Sequence, residues 1–439
     1  MNKLLRHLVN VENNIVNDIE HIVKDIEREI KELPVGDLTI QSFYSPTAIL
    51  PQAQSNSQLA GWFSKYHPRY NISSWCFFGH IEDEGGKVAA INSIVQYQQF
   101  QGQSPYMAEW SYCDDKTDGY VVAPFLVDEG NAAYTQPFAI TIDANPIYGG
   151  LLSLSLVSGQ FGSVNAKYCI TGQVIAAPDL LDIWEYEVLM TDTFGCMQVG
   201  YGPSSFLPQW LTPEQANQVK KHFNGDVHAY LKSSNDRMLG QGSYYYSIPL
   251  LRVDKFNILK NGQPYFFGTK GNMWIDYVVQ SFNQDSLAIV KTASWLFFAI
   301  QLPKVIDKKG KSYQAAIMVS IVDVTQNGKQ TKLPMARFYC DKDTDAAYAE
   351  NGARAAYFEW AVGQVSLKTE QTYNGYPVVV SIDLNNPLGK VHIDAKAIRD
   401  NQVIPGVKKY EGVYNATAKI SLGNFDATGV DGFAWGEVH

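Results

Sequence analysis

The chain is poor in charge, in cysteine and in long apolar runs. Asp, Glu, Lys and Arg make up 18% of its 439 residues, and 35 basic against 44 acidic side chains leave a formal net charge of −9. A surface of that sign is a poor general partner for phosphate backbones, which sets nucleic-acid binding aside. The five cysteines, Cys76, Cys113, Cys169, Cys196 and Cys340, are odd in number, widely spaced and without a CxxC pair. That fits reduced thiols in the cytoplasm better than a disulfide framework or a thiolate zinc site. No stretch of about 18 uncharged apolar residues is present to span a bilayer. The N-terminus mixes acids and bases where a secretory signal needs an uninterrupted apolar run.

Motifs are missing too. There is no glycine-rich phosphate loop, no GxSxG elbow and no HExxH helix, so nucleotide, serine-hydrolase and zinc-protease chemistry lack their usual parts. Asp341, Asp343 and Asp345 imitate the start of a calcium loop, but Ala346 stands where the turn needs Gly and Gly352 where the ion needs Glu. None of the eight histidines forms a close pair. The expectation is a protein that works without metal or other cofactor.

What the chain does have is aromatic mass: 26 Tyr, 21 Phe and 9 Trp within a 46% hydrophobic composition. Disorder and low-complexity architectures are excluded. Residues 1–34 place Leu8, Val11, Ile15, Ile19, Ile22, Ile26, Ile30 and Leu33 in steps of three and four. This spacing predicts one long amphipathic helix ended by Pro34 and Gly36. Such a helix needs a long partner, either the body of the same chain or a second copy in a homo-oligomer. Beyond it the pattern changes to short alternating or aromatic runs separated by Gly, Asn, Asp and Pro, as in 87–96, 119–127, 150–157 and 315–324, so the body is expected to be all-β. A short helix is expected after Thr212, with Pro213 in its first turn. Another helical piece is expected near 59–66.

The densest aromatic region runs from Gly242 to Gln301. Side chains two apart on a strand share a face, which places Trp274 beside Asp276, Tyr244 beside Tyr246, and Trp295 beside Phe297. A carboxyl between aromatic walls is desolvated, its pKa rises, and it can stay protonated as a donor near neutral pH. Aromatic faces would then stabilise a cation made by protonating an alkene. The competing reading is an aromatic core in which Asp276 pairs with Arg252 or with backbone amides. His80, set in an aromatic strand pattern, reads first as a buried structural histidine. Glu359, Glu411 and Glu437 read first as hydrogen-bonding acids of the sheets.

Three blocks in order carry a family resemblance. The run Trp75-Cys76-Phe77-Phe78-Gly79-His80-Ile81 comes first. The second block is Tyr244-Tyr245-Tyr246-Ser247, then Gly271 to Asp276, then Ser294 to Leu302. The third is Tyr376-Pro377, Tyr410-Glu411-Gly412 and Gly432 to Glu437. Together they resemble the AttH and carotenoid 1,2-hydratase family, a tandem lipocalin-like superfamily that also contains fungal decalin-forming Diels-Alderases. The resemblance implies two consecutive lipocalin-like antiparallel β-barrels, here 35–255 and 256–439, with a pocket for a hydrophobic small molecule. Asp276 is then the expected proton donor, with Tyr277 beside it as a second expected catalytic residue. Trp274 and Tyr244 or Tyr246 become cation-facing walls, and Trp295, Phe297, Trp75 and His80 the remaining substrate-binding residues. The activity implied is protonation of a polyene or isoprenoid alkene, driving hydration or cyclisation. A pericyclase that folds a polyene into a reactive shape and a non-catalytic lipid or isoprenoid carrier are the rivals. The chain departs from the family pattern after Asp276, where Tyr277-Val278-Val279 replaces the usual basic or amide residue.

Overall fold

A computed structural model describes residues 39–41, 72–98, 106–117, 119–127, 132–135, 138–143, 150–176, 182–199, 209–211, 221–224, 242–281, 294–326, 329–341, 358–360, 364–387, 389–405 and 409–438. The expected helix of residues 1–34 and the piece at 59–66 lie outside the described residues. So does the helix after Thr212, apart from a turn at 221–224.

The described chain is all-β and forms two large antiparallel sheets, each curled into a half-barrel. In spatial order the first runs from Val121–Val127 through Tyr106–Cys113, Val88–Gln98, Ile72–Glu82, Lys270–Ser281, Gly242–Lys260, Asp182–Asp192, Lys167–Ala176, Gly150–Ser158 and Ala139–Asp143 to Ala132–Thr135. Met197–Gln198 and Gln263–Gly268 pair with Gly242–Lys260 off that path. The second runs from Phe358–Trp360 through Lys329–Cys340, Ser312–Gln326, Ser294–Ile306, Phe425–Val438, Lys409–Leu422, Gly389–Ala397 and Tyr376–Asn386 to Val365–Tyr373. The division expected at 255/256 falls inside strand Gly242–Lys260, and the first sheet continues to Ser281 before the second begins at Ser294.

Turn chemistry explains the hairpins. Asn261-Gly262 and Asn374-Gly375 both hold positive φ at each residue (54° and 72°, 50° and 86°). These two-residue turns join Gly242–Lys260 to Gln263–Gly268 and Val365–Tyr373 to Tyr376–Asn386. Two consecutive left-handed residues twist in the same sense as the strands they join, and Asn and Gly tolerate that conformation best.

Strand alternation then sorts side chains into three cores. Trp75, Trp110, Trp184, Tyr246 and Tyr277 fill the hollow of the first half-barrel. The second is filled mainly by Ile, Val and Ala, with Tyr410, Tyr414 and Trp360 among them. A third core lies between the sheets, where Phe78, Tyr245 and Trp274 of the first meet Phe297, Met318 and Trp435 of the second. Strands that feed this junction are covered on both faces, as the unbroken burial of Phe297 to Leu302 shows. Apolar residues on both faces are what such a strand needs, which is why the Trp295-Leu296-Phe297-Phe298 run does not alternate with polar residues.

Candidate functional site

Asp276 sits at this junction, 3% exposed. Its strand, Lys270–Ser281, pairs on one side with Gly242–Lys260, where Ser247 is opposite Asp276, and on the other with Ile72–Glu82, where Cys76 is opposite it. Directly opposed residues share a face, so Ser247 and Cys76 flank the carboxyl. Tyr245, two residues from Ser247, comes to the same face. The Ser247 hydroxyl donates to Oδ1 at 2.5 Å, the Trp274 indole N–H donates to the same oxygen, and the Tyr245 hydroxyl donates to Oδ2.

Burial raises the Asp276 pKa, the bonds from Ser247, Tyr245 and Trp274 lower it, and the charge of Glu437 raises it again; the outcome is about 7. Desolvation outweighs three donors because an isolated charge loses far more in a dry interface than hydrogen bonds return. Burial also pushes up the Cys76 thiol, with Glu437 adding to the effect, so this cysteine is no nucleophile near neutral pH. The Tyr245 hydroxyl is raised by burial and then by the neighbouring Asp276 charge.

A second polar group adjoins the first from the other sheet. Glu411 and Glu437 are opposed across strands Lys409–Leu422 and Phe425–Val438. Lys409 pairs with Glu411 and lies 3.9 Å from Glu437. The Trp295 indole donates to Glu437 at 3.2 Å, and the Asn92 amide of the first sheet donates to Glu411. Burial pushes the Glu411 pKa up, and the adjacent Lys409 ammonium pulls it back. Burial disfavours the Lys409 cation, yet Glu411, Glu437 and Glu109 overcome it and hold the ammonium charged.

The expected residues therefore divide. Trp274, Trp295, Phe297 and His80 reach the junction with Asp276. Trp75, Tyr246 and Tyr277 do not: they point into the hollow of the first half-barrel, where Trp75 and Tyr277 stack at 5.0 Å. Tyr277 follows Asp276 in sequence and so faces away from it. The backbone of Tyr244 belongs to strand Gly242–Lys260, and its side chain lies outside the described residues. Arg252 pairs with Asp254 at 2.9 Å and leaves Asp276 to the neutral donors. Tyr245, Ser247, Lys409 and Asn92 are the site residues that sequence reasoning passed over. Among the described residues, the cleft lined by Phe78, His80, Trp274, Gln301, Phe433 and Trp435 beside this group holds about 10 Å³, room for about one water. His80 there stacks on Phe433 at 3.6 Å, and burial lowers its pKa to about 3, so it is neutral as a structural histidine would be.

No family model matches the chain, and no curated protein does. Solved structures do. A protein described as an AttH from Nitrosomonas europaea superposes with a TM-score of 0.53 at 15% identity, over 90% of this chain and 98% of that one. Kievitone hydratase from Nectria haematococca aligns over 92% and 97% of the two chains at 11% identity and a TM-score of 0.44. CghA with Sch210972 aligns over 92% and 98% at 13% identity and a TM-score of 0.41. The half-barrels, their order along the chain and the likeness to the Nitrosomonas protein along nearly its whole length agree on one architecture: the chain has the AttH-like tandem lipocalin fold.

Proposed function

We propose that the protein is an enzyme of the hydratase or cyclase type, in which Asp276 protonates an alkene of a hydrophobic polyene or isoprenoid held between two lipocalin-like barrels. The observation that supports this most is the carboxyl itself, buried among aromatic rings with its pKa raised to about 7. A general acid is most effective when its pKa lies near the working pH.

The donor set assigns the proton to one oxygen. The Trp274 indole can only donate, so it keeps Oδ1 an acceptor, whereas the Tyr245 hydroxyl can turn and accept. The acidic proton therefore resides on Oδ2, against Tyr245. Transfer to an alkene carbon leaves a carbocation near the faces of Trp274 and Phe297 and a carboxylate that recovers all three donors. In a hydration water captures the cation and the surplus proton of the resulting oxonium returns to the Asp276 carboxylate; in a cyclisation a second alkene captures it and the cyclised cation loses a proton to the same carboxylate, so the acid is regenerated. Since the cleft is water-sized, binding such a substrate requires Trp274, Phe433 and Trp435 to part.

Asp276→Asn is the test. Asn keeps the acceptor for Ser247 and Trp274 and turns its amide to the Tyr245 oxygen, so the fold survives while the acid is lost. Proton-initiated turnover of a polyene substrate should fall about 100-fold or more. Undiminished turnover selects shape-driven pericyclic catalysis, in which orientation alone can lower a barrier by roughly 7 to 11 kcal/mol. Tight binding without turnover by the wild type selects a carrier.

A further inference from the structure

We propose that a second polar site, centred on Glu411 at the junction of the sheets, binds a neutral hydroxyl group, supplied by a water molecule or by the alcohol end of a hydrophobic ligand. It stands apart from the assignment of Asp276 and needs none of its chemistry.

Glu411 is 2% exposed and is approached from the first sheet by Asn92, whose amide donates to it. Asn92 is opposed to Ser111 across strands Val88–Gln98 and Tyr106–Cys113, so the two share a face. That face is turned to the second sheet, because the alternate residues Ile91, Trp110 and Tyr112 fill the first half-barrel. Glu109 lies on it too, two residues from Ser111. Tyr120 joins the junction core within electrostatic reach of Glu411 and Glu109.

Four atoms of this group are buried without a hydrogen-bond partner: Asn92 Oδ1, Ser111 Oγ, the Tyr120 hydroxyl and Glu109 Oε1. Asn92, Ser111 and Tyr120 are 1%, 0% and 4% exposed. Buried polar atoms are nearly always matched, and four unmatched ones on the rim of one buried ion pair point to a group that bonds them.

Their chemistry selects it. Asn92 Oδ1 only accepts, so the guest must donate. Ser111 and Tyr120 carry hydroxyl hydrogens to give, so it must also accept. An anion would face Glu411, Glu437 and Glu109 together, and a cation would lose its hydration beside the Lys409 ammonium. A neutral O–H group satisfies both requirements.

The sign of a stability change tests the proposal on the full chain. Deleting a hydroxyl that bonds a guest destabilises a protein, whereas deleting one that is buried and unmatched stabilises it. Tyr120→Phe and Ser111→Ala should each lower the Tm by about 2 °C or more. A crystal structure of the wild type near 1.5 Å should show an oxygen within about 3.2 Å of Ser111 Oγ. An isolated oxygen identifies water, and an oxygen continuous with carbon density, matched by a small-molecule mass in native mass spectrometry, identifies an alcohol ligand. An unchanged or higher Tm in both variants, or direct bonds among the four atoms with no oxygen between them, overturns the site while leaving the Asp276 reading intact. Loss of turnover in Asp276→Asn with neither Tm change is the reverse separation.

Discussion

Tyr245 and Tyr246 are neighbours in sequence and belong to different parts of the molecule. One donates to Asp276 between the sheets; the other packs in the hollow of the first half-barrel beside Tyr277 and Trp75. Both surroundings are aromatic and both are dry. The difference is that Asp276, Glu411, Glu437 and Lys409 collect at the junction, while the hollow is filled mainly by apolar contacts and ring stacks such as Trp110 on Tyr186 at 5.2 Å, with Asp114 bonded by the Tyr112 hydroxyl. Aromatic density therefore does not locate a site in this fold. Which face of a shared strand carries ionisable groups does.

Substitutions that strike one face at a time sharpen the contrast. Trp75→Ala, on the hollow side, should have the largest effect on the fold, about 3 to 5 kcal/mol of lost stability in a denaturant titration. Any turnover by the remaining folded fraction should be unchanged per molecule. Comparable stability loss from Asp276→Asn would break the division. Tyr245→Phe is expected to reduce turnover by about ten-fold with little change in stability. Tyr246→Phe should not reduce turnover.

Acidity separates two residues of the junction itself. The native Asp276 holds its proton up to about 7 against an ordinary value of 3.8. Its contribution to stability is thus full below about pH 4 and is lost as the pH climbs through about 7. His80 has the opposite sense: lowered from 6.5 to about 3, it is buried neutral, and stability is lost as the pH falls below 6.5. Urea midpoints measured from pH 4 to 8 should decline less toward high pH in Asp276→Asn than in the wild type. The decline toward low pH should be reduced in His80→Phe. Parallel curves for all three proteins would contradict the burial of both groups. The smallest effect is expected from Arg252→Ala. It removes an exposed ion pair with Asp254 and should change stability by about 1 kcal/mol or less and turnover not at all.

Much of this was readable in the residues. Alternation alone placed Trp274 with Asp276 and Trp295 with Phe297, and the short runs separated by Gly, Asn, Asp and Pro announced an all-β body. Tyr246 was misplaced and Tyr245 passed over for a definite reason. Parity relates residues within one strand, and relating Tyr245 to Asp276 requires the register between two strands. That register opposes Ser247 to Asp276 and shifts again between Ile248 and Leu251, around Pro249. Nothing in the local pattern of Gly242–Lys260 announces it. Glu411 and Glu437 were likewise visible as acids near the end of the chain, and Lys409 between them in space was passed over. That they meet Asn92 follows only from the packing of one sheet on the other, across 319 positions of sequence.

Strand Lys270–Ser281 lies between Ile72–Glu82 and Gly242–Lys260, and this has a bearing on biosynthesis. Until the ribosome has released residue 281, Ile72–Glu82 has an edge with no neighbour to cover it, some two hundred positions after it was made. A nascent chain in that condition is open to illegitimate strand pairing. Folding of the amino-terminal half is thereby postponed to a late stage of translation, and a pause before residue 270 should leave a chain more prone to aggregation than a pause after residue 281.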